Sequence, residues 1–192
     1  MKLIRVLSST GSFTLTVSEV NVAPVLAALN NFTVNPGQIV SFTATATDAD
    51  IPTNLLTFSL VGPPSGASVG SANGSFTWRP GVAQANSSNF IQLRVTDTNA
   101  AAVNATSLSD TKGFTVLVNA LSPVLLTSPS YNSGQFRFQI SGTPGPDYVI
   151  MAGTTPTSFV DLSTNLSASP PFSFTNNVGG LTNRFYRVRL QP

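Results

Sequence analysis

The sequence predicts an all-β protein: two consecutive β-sandwich modules preceded by an N-terminal strand. Three observations carry this reading. Short runs rich in Val, Thr, Phe and Ile recur along the chain, and several alternate apolar with polar residues. Such period-two alternation puts one face of a strand in a core and the other in water. Gly, Pro, Asn and Ser separate the runs, as in Asn35-Pro36-Gly37, Gly62-Pro63-Pro64, Asn73-Gly74 and Arg79-Pro80-Gly81, and these residues favour turns. Signals for helix are nearly missing from the 192 residues.

The elements follow in order. Phe13, Leu15 and Val17 alternate with Thr14, Thr16 and Ser18, a strand with one apolar row. Val40, Phe42, Ala44 and Ala46 alternate with Ser41, Thr43, Thr45 and Thr47. Further strands are read at Leu55–Leu60, Ser75–Trp78, Phe90–Thr96 and Lys112–Val118. Asn119–Pro123 reads as a linker. Beyond it come Val124–Thr127, Gln135–Ser141, Tyr148–Ala152, Phe159–Leu162, Phe172–Thr175 and Arg184–Leu190. The expected units are residues 1–20, 21–120 and 121–192. About seven short strands per ~100 residues is the sandwich pattern.

Phe13–Val25 (FTLTVSEVNVAPV) echoes Phe114–Leu125 (FTVLVNALSPVL): a closing strand, a joint, and a Pro-containing approach to the next module. Two readings of Phe13–Val20 stay open. It is the closing strand of a preceding module, or an extra edge strand of the first one. Phe13, Leu15 and Val17, with Leu3 and Val6 adding to the row, form a candidate self-assembly strand that completes a sheet in a neighbour; the alternatives are that it folds back onto an edge of its own chain or is a stub left by truncation.

Hydrophobic residues make up 41% of the chain, enough for real cores, while charged residues make up 8%, against about a quarter in ordinary soluble domains. With a net charge of +2 and basic residues scattered apart from Arg184, Arg187 and Arg189, no stripe matches a nucleic-acid backbone. No apolar run approaches the ~20 residues of a membrane span. Met1–Leu7 starts like a signal peptide, but Arg5 interrupts it. The profile suits an extracellular or cell-surface protein.

The chain contains no Cys and no His. Disulfides and thiolate metal sites are therefore excluded, and the commonest general base and metal ligand are missing. Asp48 and Asp50 lie two apart and share a face of an extended chain. Two adjacent carboxylates repel unless something positive lies between them. A glycosidase pair must flank a bond across a cleft, at ~5–5.5 or ~6.5–9.5 Å, and two residues on one strand end do not. No enzyme activity is expected. Trp78 alternates with Phe76 and reads as core. Arg187 and Arg189 share a face opposite Tyr186 and Val188, and read as solvated edge charge.

One order of motifs carries a resemblance. It runs Asn21, Ala23-Pro24-Val25, Phe42-Thr43-Ala44, Asp48-Ala49-Asp50, Asn54 and Leu56-Thr57-Phe58-Ser59-Leu60. It continues with Gly74-Ser75-Phe76-Thr77-Trp78, Val95-Thr96-Asp97 and Phe114-Thr115-Val116. This order resembles the cadherin-like, dystroglycan-type immunoglobulin-like modules of bacterial surface proteins. Gly142-Thr143-Pro144-Gly145 with Tyr148-Val149, and Arg184-Phe185-Tyr186-Arg187-Val188, resemble a C-terminal module of large secreted proteins of Verrucomicrobia and their relatives.

The first resemblance implies an interdomain calcium site with Asp48, Asp50 and Asp97, joined by Glu19 and Asn21 of the linker. Calcium takes about six to eight oxygen ligands from flexible loops. Two departures stand against it: Val22 and Ala23 replace further Asp and Asn, and Thr77–Gly81 lacks the expected acidic motif. The other reading is that these Asp residues cap turns at strand ends. The functional expectation is a non-enzymatic structural or adhesive module, a fibre or filament subunit built by strand addition. Its partners would be copies of itself or neighbouring repeat modules. The rival reading is a module of a secreted multidomain protein that binds a surface glycan or a protein.

Overall fold

A computed structural model describes residues 10–180 and 183–191. Met1–Leu7, with Leu3 and Val6, lies outside the described residues. Fifteen strands and one 3₁₀ turn, Val82–Gln84, make up the regular structure there, and they build two β-sandwiches in series.

The first sandwich holds β1 (Val25–Leu26), β2 (Phe32–Val34), β3 (Val40–Thr43), β4 (Ala46–Thr47) and β5 (Thr57–Val61). It also holds β6 (Ser68–Val69), β7 (Ser75–Trp78), β8 (Ser87–Thr96) and β9 (Ser109–Val118). One sheet runs β2-β9-β8-β5, facing β3-β7-β6 and the pair β1-β4. The first strand changes sheets: β1 pairs antiparallel with β4, and β2 pairs parallel with β9. The predicted single strand over Val40–Thr47 also breaks, between β3 and β4. The break lies at Ala44, whose N–H donates to the Gly74 carbonyl at 2.9 Å. Gly74 has φ +68°, and a Cβ there would come 2.3 Å from the Ala44 carbonyl oxygen, so only glycine permits this approach.

Alternation fills the core. Phe76 and Trp78 of β7 are fully buried, as are Ile91, Leu93 and Val95 of β8 and Val116 and Val118 of β9. Phe32, Phe42, Phe76 and Phe114 form an aromatic cluster with centroids 4.9–6.2 Å apart. Such pairs contribute ~0.5–1.5 kcal/mol beyond their buried area. The Trp78 Nε1–H donates to the Ser65 carbonyl at 3.0 Å, which lets the indole sit in the core with its polar edge satisfied.

The chain is without regular structure between β9 and β10. The second sandwich has β10 (Leu125–Asn132), β11 (Gln135–Ser141), β12 (Asp147–Thr155), β13 (Ser158–Asn165), β14 (Phe172–Asn177) and β15 (Phe185–Gln191). Its two three-stranded sheets are β10-β11-β14 and β13-β12-β15. Phe138, Ile140, Tyr148, Ile150 and Ala168 are its buried centre. The Tyr148 hydroxyl donates to the Thr143 carbonyl at 2.9 Å, and burial raises its pKa. A Cβ on Gly142 would lie 2.4 Å from that hydroxyl oxygen, so the residues of the Gly142–Gly145 motif fold around the ring. Arg187 and Arg189 point outward on the edge strand β15, and Arg189 pairs with exposed Asp161 at 3.1 Å.

The N-terminal strand departs from expectation. Residues 10–18 form no strand, and Phe13, Leu15 and Val17 are 90%, 77% and 81% exposed. Among the described residues pairing begins at Glu19, with a single parallel bridge to Ala102.

Candidate functional site

β8 and β9 pair over ten residues each, from Thr96↔Ser109 to Ser87↔Val118, a length of about 33 Å at ~3.3 Å per residue. The first sandwich therefore has two distant poles. At the N-terminal pole, β4 runs out into Asp48 and Asp50, β8 into Asp97, and the segment Glu19–Asn21 leads into β1. The alternation that buries Leu93 and Val95 also buries Asp97, the next inward position.

All five sequence-predicted residues meet there in one network. Asn21 Nδ2 donates to Asp97 Oδ1 at 3.1 Å. Asp50 accepts from the Val22 N–H at 3.1 Å and from Asn54 Nδ2. Asn54 Nδ2 also reaches Asn21 Oδ1 at 3.2 Å. Asn99 Nδ2 bridges Glu19 Oε1 at 3.3 Å and Asp50 Oδ2 at 3.4 Å. Asp48 Oδ1 accepts the Asp50 N–H at 2.9 Å. This last bond is the strand-end cap that the simpler reading expects, so Asp48 does serve a turn.

Capping does not account for everything. Asp97 is fully buried, yet its Oδ2 has no hydrogen-bond partner, and neither does Asp48 Oδ2. Oδ1 of Asp97 is satisfied by Asn21 and by the Leu108 N–H at 2.6 Å. An unpartnered buried carboxylate oxygen is costly, and a hard cation with oxygen ligands is one remedy. Against this, no three acidic side chains among the described residues converge as a ready-made metal cage. Amides stand between the carboxylates instead. Asn21, Asn54 and Asn99 would have to turn their Oδ1 atoms inward to complete a cation shell.

Asn54, Asn99 and Asn104 are members that sequence reasoning did not assign. Asn104 accepts the Asn21 N–H and donates to the Asn21 carbonyl, at 2.8 and 2.9 Å. Asp97-Thr98-Asn99 repeats the spacing of Asp48-Ala49-Asp50, and that signal could have pointed to Asn99. Phe13, Leu15 and Val17 lie just before this pole and make no contact that would hide them.

At the opposite pole, Thr77–Gly81 carries Arg79 in place of acidic residues. Its guanidinium reaches Asp147 of the second sandwich at 2.7 Å.

The fold is that of an immunoglobulin-like β-sandwich protein, a class that is typically non-enzymatic. Residues 21–110 match the family described as the bacterial Ig domain. No curated protein matches the chain. Domains of this family are commonly extracellular. No helix among the described residues is long and apolar enough to cross a membrane, which says nothing of a β-barrel.

Proposed function

We propose that the chain is a structural link of a bacterial extracellular or cell-surface assembly, of cadherin-like type. In this reading its N-terminal pole joins a neighbour through an added strand and calcium. The observation that carries the reading is the apolar row Phe13, Leu15 and Val17, almost fully exposed beside a pole of carboxylates. An extended segment with one apolar face and unpaired backbone groups is driven to complete a sheet. Strand addition gives affinity through the backbone and register through alternate side chains. The partner is another copy or a neighbouring repeat module.

Calcium is the proposed cofactor of the same pole. Asp97, Asp48 and Asp50 would hold it, with Glu19 and the carbonyl oxygens of Asn21 and Asn99. The two unpartnered carboxylate oxygens and the all-oxygen donor set support this. Bound there, it would neutralise the carboxylates and fix Glu19–Asn21 against the sandwich.

The rival glycan-binding reading wants a row of exposed aromatics on one face. Of the exposed aromatics, Phe90, Tyr131 and Phe185 lie on β8, β10 and β15, in three different sheets, and Phe13 lies in none, so the structural reading is preferred.

Sedimentation velocity on the full chain tests it, in calcium and in EDTA, beside the triple variant Phe13→Ser, Leu15→Ser, Val17→Ser. Concentration-dependent association of the native chain, lost in the variant, is the expected result. A native chain that stays monomeric at high concentration in both buffers overturns strand addition.

A further inference from the structure

Nothing in the sequence predicts how the two sandwiches meet, and a bare linker over Asn119–Pro123 would let them tumble separately. The structure shows a built seat instead. The turn Asn35-Pro36-Gly37 lies against the loop Thr143–Pro146 that leads into β12, and Pro36, Gly37, Gly145 and Pro146 are all buried. Gly37 and Gly145 meet backbone to backbone. A Cβ on Gly37 would lie 2.4 Å from the Gly145 carbonyl oxygen, and one on Gly145 would lie 2.6 Å from the Pro36 carbonyl oxygen. Both glycines have positive φ, +81° and +119°. Neither site accepts a side chain without the modules moving apart.

Arg79 closes this seat. Its Nε donates to the Gly37 carbonyl at 2.7 Å within its own module, and its Nη2 donates to Asp147 Oδ1 at 2.7 Å in the other. Arg79 directly follows Trp78, which is fully buried, and Gly37 N–H donates to the Pro80 carbonyl at 2.7 Å. The guanidinium is therefore held in place by its own module before it meets its partner. Asp147 is equally fixed, because the same oxygen accepts the Ser167 N–H at 2.7 Å. A planar donor fork held on one side is the arrangement that loses least entropy on pairing. Asn35 adds two further ties, to the Pro144 carbonyl at 3.0 Å and to Asn119 Nδ2 at 2.9 Å. Ser122 N–H reaches Thr143 Oγ1 at 2.7 Å, so the linker itself is tied down.

We propose that the two sandwiches form one rigid unit whose joint needs no metal, clamped by Arg79 on Asp147 across the Gly37–Gly145 seat. The joint would then pass orientation and load between the modules without a cation, whatever the N-terminal pole binds.

The test is nitrogen-15 relaxation on the full chain in EDTA, with small-angle scattering on the same samples. The native chain should show one rotational correlation time shared by both modules. Arg79→Gln, and separately Gly145→Val, should give two distinct times and a larger maximum dimension, while circular dichroism shows both modules folded. Independent tumbling of the native modules in EDTA overturns the proposal. So does a folded Arg79→Gln chain that keeps the shared correlation time. Should a variant fail to fold, the native measurement alone decides. A failure here leaves the calcium and strand reading of the other pole untouched.

Discussion

Replacing Trp78 by Ala is the sharpest test of the first sandwich. The side chain is fully buried between the sheets, in a cluster with Val40, Phe76, Ile91, Phe114, Val116 and Val118. Truncating such a residue costs ~3–5 kcal/mol through lost transfer energy and the cavity left behind. The Ser65 carbonyl also loses the shorter of its two donors, at 3.0 Å, and keeps only the Gln84 amide at 3.4 Å, a loss of up to about 1 kcal/mol. Domains of this size have ~5–15 kcal/mol in all, so about a quarter or more of the module's stability should go. At ~4–8 °C per kcal/mol for ~100 residues, its melting transition should fall by well over ten degrees. Urea unfolding followed by far-ultraviolet circular dichroism measures this, because the variant has no Trp left to report by fluorescence. In the native chain the emission should be that of an apolar environment. A loss below about 1 kcal/mol, or native emission like that of indole in water, would refute the packing argument.

The remaining predictions concern the two poles. Millimolar calcium should raise the first module's melting temperature, since a ligand bound only to the folded form must stabilise it. Asp97→Asn should abolish the rise, and an unmoved native melting curve would remove calcium from the pole. Asp147 gives a pH signature. Burial pushes its pKa up, but hydrogen bonds from Arg79 and Ser167 and the Arg79 charge outweigh it, and the net shift is down. The stabilisation is therefore complete above the unfolded value of ~3.9 and is lost as the pH falls through the lower folded value. As the pH falls below about 4 the native chain should lose stability that Asp147→Asn has already lost. Parallel acid-unfolding curves for the two would count against the clamp.

Alternation made the long strands legible. Ser75–Trp78 and Gln135–Ser141 stand as read from sequence. β8 and β9 extend beyond their expected starts, through Ser87–Asn89 and Ser109–Thr111, because mutual pairing carries polar residues into a ladder that composition would end. β1, β2 and β6, of two or three residues, are too short for a period to show. Phe13–Val17 shows the converse: its alternation marks a face, but it joins no sheet among the described residues. Of the N-terminal pole, Asp48 and Asp50 were legible by their spacing of two, and Glu19, Asn21 and Asp97 only through the resemblance that the order of motifs carries. Asn54, Asn99 and Asn104 were not assigned to it, because Asn is common everywhere in this chain. Arg79 and Asp147 lie 68 residues apart, and only the folded topology brings them together.

The two poles of the first sandwich are chemically unlike, and that asymmetry bears on assembly. One pole is anionic, with the apolar segment beside it. The other is already occupied, its Arg79 committed to the second sandwich. The segment cannot serve both ends of its own chain. Phe13 lies six residues before the bridge at Glu19, a reach of at most ~20 Å when extended. The β8–β9 ladder alone spans about 33 Å, so the row cannot pass the first sandwich to add to the second. The candidates within the chain are therefore edges near its own pole, and none is taken up there among the described residues. An acceptor farther away must belong to another molecule or another module. Where it lies on the second sandwich of an identical chain, the contact is head-to-tail, and such contacts give filaments unless the rotation closes a ring. With 8% charged residues, little repulsion between identical subunits would oppose that packing.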